Sequence, residues 1–459
     1  MTHVLDRAAA HAAKFLEAVQ NRPIATTAST QELRSRLAKP LPENGMAPET
    51  VIDELVRDVE GGILGSVNAR FFGWVIGGTL PVAIAADWLT SVWDQNAASN
   101  LTSPAEAVVE EVCGEWVKEL LGIPRTASFA FVTGCQMAHT TALAAARHKL
   151  LADRGWDVEE KGLAGAPRLR ILTTQNRHES ILRSARLLGI GTEAIDYVGA
   201  DNSGRIEIGK LEAALRAAGR DPVIVWLQAG DLNTGVFDPF ARACPLAHAA
   251  KAWVHIDGAF GLWAATSDRH RHWLEGAEQA DSWATDGHKW LNLPFESGLV
   301  FVAHASAHRA AFAQDTSYSV PRGELRNQKD WNPEWSRRAR GFPAYAAIRA
   351  LGRAGVAEIV ERCCALAKRL VQGIGELPGA EVVAEPVINQ GLVRFLADDG
   401  NHDRATDDMI RRIQARGVAW FGGATWRGMR VMRVSVCNHL TQERDIDQAL
   451  ASVREVLQA

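Results

Sequence analysis

The stretch Asp281-Ser-Trp-Ala-Thr-Asp-Gly-His-Lys-Trp290 decides the fold of this chain. It places Lys289 in a mostly uncharged run, shortly before the strand-like segment Ser297-Gly-Leu-Val-Phe-Val302. Partial burial lowers the pKa of a lysine, and a neutral amine can form a Schiff base with a carbonyl compound. A lone lysine is more often an ordinary surface residue. The residues upstream of Lys289 therefore decide whether this chemistry is expected.

A carboxylate at the end of a predicted buried strand is the first of these residues. In Val254-His-Ile-Asp-Gly-Ala-Phe260, apolar residues alternate up to Asp257, and two small residues follow it. In an open α/β sheet the carboxyl end of a strand faces the ligand crevice. A buried carboxylate requires a cationic partner, and a protonated pyridine nitrogen would be one. Asp257 is therefore a candidate partner for a pyridine ring.

A strand, turn and helix pattern further upstream predicts a phosphate site. Residues 130–143 read Ala-Phe-Val-Thr-Gly-Cys-Gln-Met-Ala-His-Thr-Thr-Ala-Leu, a short strand, a small-residue turn and an Ala-rich helix. The first turn of a helix has free backbone N–H groups, which suit a phosphate. The chain thus offers a phosphate cradle, a pyridine partner and a lysine for a Schiff base, in that order.

This combination resembles the pyridoxal-phosphate enzymes of fold type I, and in detail the group II amino-acid decarboxylases. The resemblance extends from about residue 69 to residue 438, and the triplet His288-Lys289-Trp290 is its most specific part. It implies pyridoxal 5'-phosphate as cofactor and decarboxylation of an L-amino acid to its amine through a Schiff base on Lys289. It also implies an α/β fold with a mostly parallel seven-stranded sheet, a smaller α+β C-terminal domain and an N-terminal helical arm.

Composition excludes several other classes. The chain has 459 residues, a formal net charge of −4 and a pI of about 6.4, so neither nucleic acid nor a membrane surface is an expected partner. Its six cysteines lack the spacing of a zinc site or a CxxC pair, which favours reduced thiols in a cytoplasmic protein. Neither a signal peptide nor a membrane span is predicted.

Three domains are expected along the chain. They are an N-terminal helical arm at 1–68, a large cofactor-binding domain at 69–340 and a small domain at 341–459. The arm is predicted to contain two amphipathic helices separated by a proline-rich linker at 38–45. In the resembling family such arms clasp a second subunit, so a homodimer with active sites at the subunit interface is expected.

The periodicity of the chain predicts its helices and strands. Helices are expected at 81–93 and 104–121, with a long helix from about 341. Strands of the large sheet are predicted at 130–133, 169–173, 194–198, 223–227, 253–256, 282–285 and 298–302. Strands of the small domain are predicted at 382–384, 392–396, 418–421 and 429–436.

The resemblance also assigns cofactor contacts. His178 matches the family's histidine that stacks on the pyridine ring; without the resemblance, its segment would also suit a helix cap. Cys135 and Gln136 stand where relatives commonly carry Gly and Ser or Thr. The expected cofactor-binding residues are Gly134, Cys135, Gln136, His178, Asp257, Ala259, His288 and Lys289.

The substrate pocket is expected in two loops. The segment at 68–78 matches the family's side-chain pocket and singles out Trp74, Val75 and Ile76. In the loop at 228–239 many relatives carry two threonines where this chain has Asp231 and Leu232, so Asn233 and Thr234 are expected to take over the substrate-carboxylate or ring contacts. The bulky side chains at 74–76, without fixed charge, favour an aromatic or other uncharged L-amino acid as substrate, unless Arg70 or an arginine of a second subunit supplies a positive charge.

Tyr318 is the expected acid that protonates Cα after loss of CO₂, with His178 a second candidate. It lies 29 positions after Lys289 (318 − 289), where the family has its catalytic-loop tyrosine. The polar segment 314–326 around it contains Pro321 and Gly323, which predicts a mobile loop. Catalytic residues are thus expected to be Lys289, Asp257, His178 and Tyr318.

Three rival functions remain at this point. The same cofactor serves carbon–carbon lyases, aldolases and aminotransferases, and bond choice depends on substrate orientation. Oxidative decarboxylation to an aldehyde is disfavoured by Tyr318, and a catalytically inactive scaffold is disfavoured by the site residues together. No metal site is predicted, because His304 and His308 lack co-ligands. Arg430 and Arg433 suit either a substrate carboxylate or the surface.

Overall fold

The computed structural model describes residues 2–314 and 326–459. The helices are α1 Thr2–Ala18, α2 Thr30–Leu37, α3 Pro48–Asp58, α4 Pro81–Trp93, α5 Pro104–Leu121, α6 Cys135–Ala152, α7 Val158–Lys161, α8 Ser180–Leu187, α9 Ile208–Ala218, α10 Phe240–Ala249, α11 Ala305–Ala310, α12 Gly341–Gly375, α13 His402–Arg416 and α14 Glu443–Gln458. The strands are β1 Ser128–Val132, β2 Arg170–Thr173, β3 Ile195–Tyr197, β4 Val223–Gln228, β5 Trp253–Asp257, β6 Ser282–Asp286, β7 Gly298–Val302, β8 Ala380–Ala384, β9 Gln390–Phe395, β10 Gly422–Trp426 and β11 Met429–Ser435. Short 3₁₀ turns lie at Thr192–Ala194, Gly261–Thr266, Arg271–Leu274, Ala277–Gln279 and Gln328–Trp331.

Local sequence signals fix several helix ends. Helices α4 and α5 begin at Pro81 and Pro104, since the first helical residue needs no N–H partner. Helix α5 ends at Gly122, whose φ of 68° is left-handed and costs a glycine little. Helix α2 begins with a capping box between Ser29 and Glu32. The predicted bounds of α4 and α5 are confirmed.

A seven-stranded sheet carries the large domain, in the order β1-β7-β6-β5-β4-β2-β3. Strands β6, β5, β4, β2 and β3 are parallel, and β7 runs antiparallel between β1 and β6. Buried apolar residues of these strands pack against α6 and α8 and form a continuous core. All seven predicted strands lie within two residues of the observed ones. The predicted fold class, mostly parallel α/β, is confirmed.

The small sheet corrects one predicted strand. It has the order β10-β11-β9-β8, and β10 begins at Gly422, whereas a strand was expected at 418–421. Those residues are apolar and suit a strand, but Trp420 pairs instead with Phe71. The N–H of Phe72 donates to the carbonyl of Trp420 at 2.8 Å. A partner from the distant N-terminal segment thus overrides local β-propensity.

The N-terminal arm also differs from expectation. Its described residues form three helices, α1 to α3, where two were predicted, and the proline-rich linker separates α2 from α3. Compact packing divides the described chain into two units, one from Met1–Gly78, Arg369–Ala384 and Leu392–Ala459, the other from Thr79–Lys368 and Glu385–Gly391. The three domain ranges expected from the sequence stay a prediction. Across the described residues, no helix combines the length and the apolar character needed to cross a bilayer.

Candidate active site

The ends of three parallel strands bring the main polar residues together. Gln228 of β4 lies opposite Asp257 of β5, and Asp257 lies opposite Ala284 of β6. Strand β6 continues to Asp286, and Lys289 follows three residues later. Because carboxyl ends of neighbouring parallel strands share one edge, these side chains meet where a ligand crevice is expected.

Lys289 forms an ion pair at this edge. Its Nζ lies 2.9 Å from Asp286 Oδ2 and 5.9 Å from the centre of the Phe260 ring. Burial acts to lower the pKa of Lys289, but Asp286, Cys135 and Asp257 outweigh it, so the pKa is raised. The expectation that burial would lower this pKa is therefore wrong, because a carboxylate lies within contact distance.

Asp286 is a central residue that sequence reasoning missed. Its Oδ1 accepts a hydrogen bond from the N–H of Cys135 at 2.6 Å and lies 3.5 Å from His288 Nε2, while its Oδ2 pairs with Lys289. The side chain is buried. Its position three residues before Lys289 was the available signal. Asp286 joins the lysine segment to the first residue of α6.

The start of α6 lies tightly against β7. A Cβ on Gly298 would come within 2.4 Å of the Cα of Gly134, so only glycine permits this approach. The N–H of Cys135 is already bonded to Asp286, and the Gln136 amide donates to Ser184 Oγ of α8 at 2.9 Å. Part of the expected phosphate cradle therefore has protein partners.

His288 lies beside this helix start. Its Nδ1 accepts from the N–H of Ser297 at 3.2 Å, and its ring centre is 4.4 Å from that of Phe295. Burial lowers the pKa of His288, although Asp286 opposes the change. A neutral imidazole whose Nδ1 accepts carries its proton on Nε2. That N–H can donate to an anionic group.

Asp257 is buried at the tip of β5. Its Oδ1 accepts from the N–H of Ala259 at 3.2 Å, and its Oδ2 lies 3.4 Å from His139 Nε2. Burial acts to raise the pKa of Asp257, but His139, His178 and Lys289 hold it well below its ordinary range. Asp257 is therefore a carboxylate with acceptor capacity left over for a cationic ligand.

His178 lies between β2 and α8. Its Nδ1 accepts from the N–H of Ser180 at 3.1 Å and lies 2.9 Å from Ser180 Oγ. Part of the side chain reaches solvent. The pKa of His178 is lowered, chiefly because protein atoms displace water from the ring, with Lys289 and His139 adding to the effect and Asp257 opposing it.

The loop after β4 is held by Asp231. Its Oδ1 accepts from the N–H groups of Asn233 and Thr234 at 2.9 and 2.8 Å, and from Thr234 Oγ1 at 2.9 Å. The hydroxyl of Thr234 is thus used within the loop. Oδ1 of Asn233 is buried and has no hydrogen-bond partner among the described residues. Of these side chains, Asn233 keeps an acceptor for a ligand.

The aromatic loop of the other compact unit has an unusual backbone. Trp74 and Val75 have φ of 52° and 57°, a left-handed conformation that strains a β-branched residue. The Trp74 ring, 51% exposed, lies 4.4 Å from that of Trp420. Val75 is buried and Ile76 is half-buried.

Two arginines that could offer a positive charge to a substrate already bond protein groups. Arg70 donates to the carbonyls of Val418 at 2.8 Å and Gln20 at 2.7 Å. Arg430 donates to Asp407 at 2.7 Å. These bonds hold both guanidinium groups in place. Arg433 is half-buried, and Tyr318 lies outside the described residues.

The two histidines considered as metal ligands do not converge. His304 Nε2 bonds Asp281 Oδ1 at 2.7 Å. His308 lies 2.9 Å from Ser128 Oγ and donates to the carbonyl of Trp331 at 2.7 Å. Each imidazole thus has its own protein partners.

Comparison with known proteins identifies the family. Residues 31–397 match the pyridoxal-dependent decarboxylase conserved domain. The chain belongs to this family. Aromatic-L-amino-acid decarboxylase of Bacillus atrophaeus is 25% identical over 450 residues, covering 95% of this chain and 91% of that protein. Acidic amino acid decarboxylase of Homo sapiens is 28% identical over 368 residues, covering 78% and 69%. The crystal structure of Oryza sativa TDC with PLP and tryptamine has a TM-score of 0.93 at 22% identity, covering 100% and 97%.

The chain is thus a pyridoxal-phosphate-dependent amino-acid decarboxylase, a carboxy-lyase of amino-acid metabolism. The strand edge suits this cofactor. Lys289 offers an amine for its aldehyde, and buried Asp257 keeps acceptor capacity for a protonated ring nitrogen. The N-cap residue Gly134 has no side chain to occupy the start of α6, where Asp286 Oδ1 accepts from the N–H of Cys135.

Proposed function

We propose that this decarboxylase acts on an aromatic or other uncharged L-amino acid, with Lys289 and Asp257 as the residues that hold its cofactor. The observation that supports this site is that Lys289, ion-paired with Asp286, lies at the same edge of the sheet as the buried carboxylate of Asp257. Bound pyridoxal phosphate supplies an electron sink for the carbanion left by CO₂. Lys289 would hold the cofactor through its side-chain amine.

Each remaining residue has a distinct task in this proposal. Asp257 keeps the ring nitrogen protonated, and His178 lies against the ring face. The phosphate is bound by His288 and by groups of Gly134, Cys135 and Gln136 other than the Cys135 N–H and the Gln136 amide, which bond Asp286 and Ser184. Ala259 borders the ring. Tyr318 gives a proton to Cα, so that the amine is the product.

The preference for an uncharged side chain rests on two features. Trp74, Val75 and Ile76 carry no charge, and the guanidinium of Arg70 is bonded to two backbone carbonyls. An acidic substrate would leave a carboxylate without a cation, which costs several kcal/mol when it is desolvated. Asn233 Oδ1, which lacks a partner among the described residues, is the proposed polar contact.

We also propose a cytoplasmic homodimer. Helix α4 exposes Trp88, Leu89, Val92 and Trp93, an apolar face that monomers rarely leave in water. All six cysteines are free and buried, as suits a reducing compartment. Val92→Glu should convert a species of twice 49.9 kDa to monomer in sedimentation velocity. Leu396→Glu, at another exposed apolar position, is the matched control.

An amino-acid panel tests the activity. Phenylalanine, tyrosine, tryptophan, glutamate and aspartate are offered, and CO₂, amine, aldehyde and ammonia are scored together. Trp74→Ala should lower kcat/KM for aromatic substrates by on the order of tenfold or more, as loss of a ring contact does. Trp156→Ala, whose indole N–H donates to Gly162, is the control. A higher kcat/KM for glutamate or aspartate than for phenylalanine would refute the substrate class, and ammonia without CO₂ would refute decarboxylation.

A further inference from the structure

A line of buried polar side chains runs from Asp257 into the sheet. His139 Nε2 lies 3.4 Å from Asp257 Oδ2, and His139 Nδ1 lies 3.0 Å from His255 Nε2. His255 Nδ1 lies 2.8 Å from Ser282 Oγ, which accepts from the Trp253 indole N–H at 2.9 Å. All five side chains are buried. The line therefore links α6, β5 and β6 behind the cofactor-facing carboxylate.

The groups at the two ends of this line, the Trp253 indole and the Asp257 carboxylate, determine the direction of each hydrogen bond between them. A carboxylate only accepts and an indole N–H only donates. With both imidazoles neutral, one arrangement satisfies every group: Trp253 donates to Ser282, Ser282 to His255, His255 to His139, and His139 to Asp257. The reverse arrangement would turn a lone pair of His139 toward the carboxylate.

The other neighbours of Asp257 do not replace this donor. His178 bonds Ser180, and Lys289 is paired with Asp286. Burial keeps Cys135 a thiol, since its pKa is raised well above the ordinary value, and His255 stays neutral because its pKa is far below. The titratable groups that face Asp257 are Cys135 and His139 from α6, His178 from the segment before α8, His255 from β5 and Lys289 from the segment after β6.

We propose that His139, oriented by His255 and Ser282, is a positioning residue that keeps Asp257 ionised and aimed at the cofactor's ring nitrogen. The inference rests on the proposed role of Asp257. His139 reaches no reacting atom in this scheme and acts through the carboxylate. Without its N–H, burial of Asp257 is opposed less, so the carboxylate protonates at a higher pH. A protonated Asp257 can no longer form a charge-assisted bond to a pyridinium.

Substitutions at His139 can distinguish the contribution of Nε2, which faces Asp257, from that of Nδ1, which faces His255. The amide N–H₂ of Gln reaches about as far as Nε2 and can donate to Asp257. The shorter Asn reaches about as far as Nδ1 and can bond only His255. His139→Gln should therefore preserve the function, and His139→Asn should lose it although both are neutral amides. Thermal unfolding of each apoenzyme establishes that the variants are folded.

The measurement is the Kd of pyridoxal phosphate for apoenzyme, by equilibrium dialysis from pH 8.5 to pH 6. Each variant's Kd is divided by the wild-type Kd at the same pH. This ratio cancels the pH dependence of groups that titrate alike in the variant and in wild type. For His139→Asn the ratio should rise more than about threefold toward pH 6, because a carboxylate that has lost a hydrogen-bond donor begins to protonate at a higher pH than in wild type. For His139→Gln it should stay within about threefold.

Three results would overturn the proposal: equal pH profiles for Asn and Gln, ratios that are raised but independent of pH, or no change in either variant. Asp257→Asn is measured alongside. If that variant binds cofactor and turns over like wild type, the proposed role of Asp257 itself is wrong. A roughly 10²-fold loss of kcat in Asp257→Asn combined with flat Kd ratios in His139→Asn would reject only the part assigned to His139.

Discussion

Replacing Asp286 by Asn removes the charge beside Lys289 and leaves an acceptor for the N–H of Cys135. Asp286 Oδ2 lies 2.9 Å from Lys289 Nζ, with side chains 4% and 20% exposed. Asp286 Oδ1 also caps the first residue of α6. The amide oxygen of an Asn at position 286 can still accept from the N–H of Cys135. The substitution therefore isolates the ion pair from the cap.

The geometry sets the size of the effect. Coulomb's law at 2.9 Å gives about 6 kcal/mol for an effective dielectric constant of about 20. Partial hydration of the ammonium reduces this, so we expect a coupling free energy on the order of 3 kcal/mol. The raised pKa of Lys289 means that its contribution is complete below the ordinary lysine pKa of 10.5 and is lost as pH rises beyond the folded-state pKa. The coupling should be constant between pH 7 and pH 9.

A double-mutant cycle on apoenzyme measures this coupling. The four proteins are wild type, Asp286→Asn, Lys289→Met and the double variant, compared by urea unfolding and used only if their m values agree. Lys149 and Asp153, 2.6 Å apart and 38% and 52% exposed, form the control pair, which should couple by about 0.3–0.5 kcal/mol. A coupling for Asp286 and Lys289 no larger than that of the control would refute the argument.

Three further substitutions test the proposed roles. Borohydride should fix cofactor mass on the peptide containing Lys289 and not in Lys289→Ala; a label on Lys251 would contradict the assignment. Asp257→Asn should retain bound cofactor at saturating concentration but lose roughly 10²-fold or more in kcat, because charge developing in the ring is less stabilised; near-normal turnover would rule the role out. Tyr318→Phe should slow amine formation and divert product toward aldehyde, since a phenyl ring cannot protonate Cα; amine at the wild-type rate without aldehyde would make Tyr318 a bystander.

Features set by neighbouring residues were predictable from the sequence. Pro81, Pro104 and Gly122 mark helix ends through their own backbone geometry, and the bounds of α4 and α5 follow from them. The buried strands β4 to β6 are short apolar runs between helical segments, the pattern of a parallel sheet. The positions of Asp257 and Lys289 at one sheet edge follow from the same pattern.

Features that depend on residues distant in sequence were not predictable. Trp420 belongs to no strand of the small sheet because Phe71 pairs with it, and nothing near Trp420 encodes that partner. His139 looks like one polar residue in an Ala-rich helix until β5 brings His255 against it. The raised pKa of Lys289 required the orientation of Asp286, and burial alone suggested the opposite sign.

Asp257 and Asp286 end adjacent strands, yet their surroundings suit them to different tasks. Asp286 accepts from a backbone N–H at 2.6 Å and pairs with an ammonium at 2.9 Å, so both of its oxygens have strong partners. Asp257 has longer contacts, 3.2 Å to the N–H of Ala259 and 3.4 Å to His139, and its pKa is nevertheless held low. A carboxylate that is charged but weakly bonded can still gain a strong hydrogen bond from a cationic ligand. Asp257 is therefore the residue suited to a pyridinium, while Asp286 holds Lys289 at the start of α6.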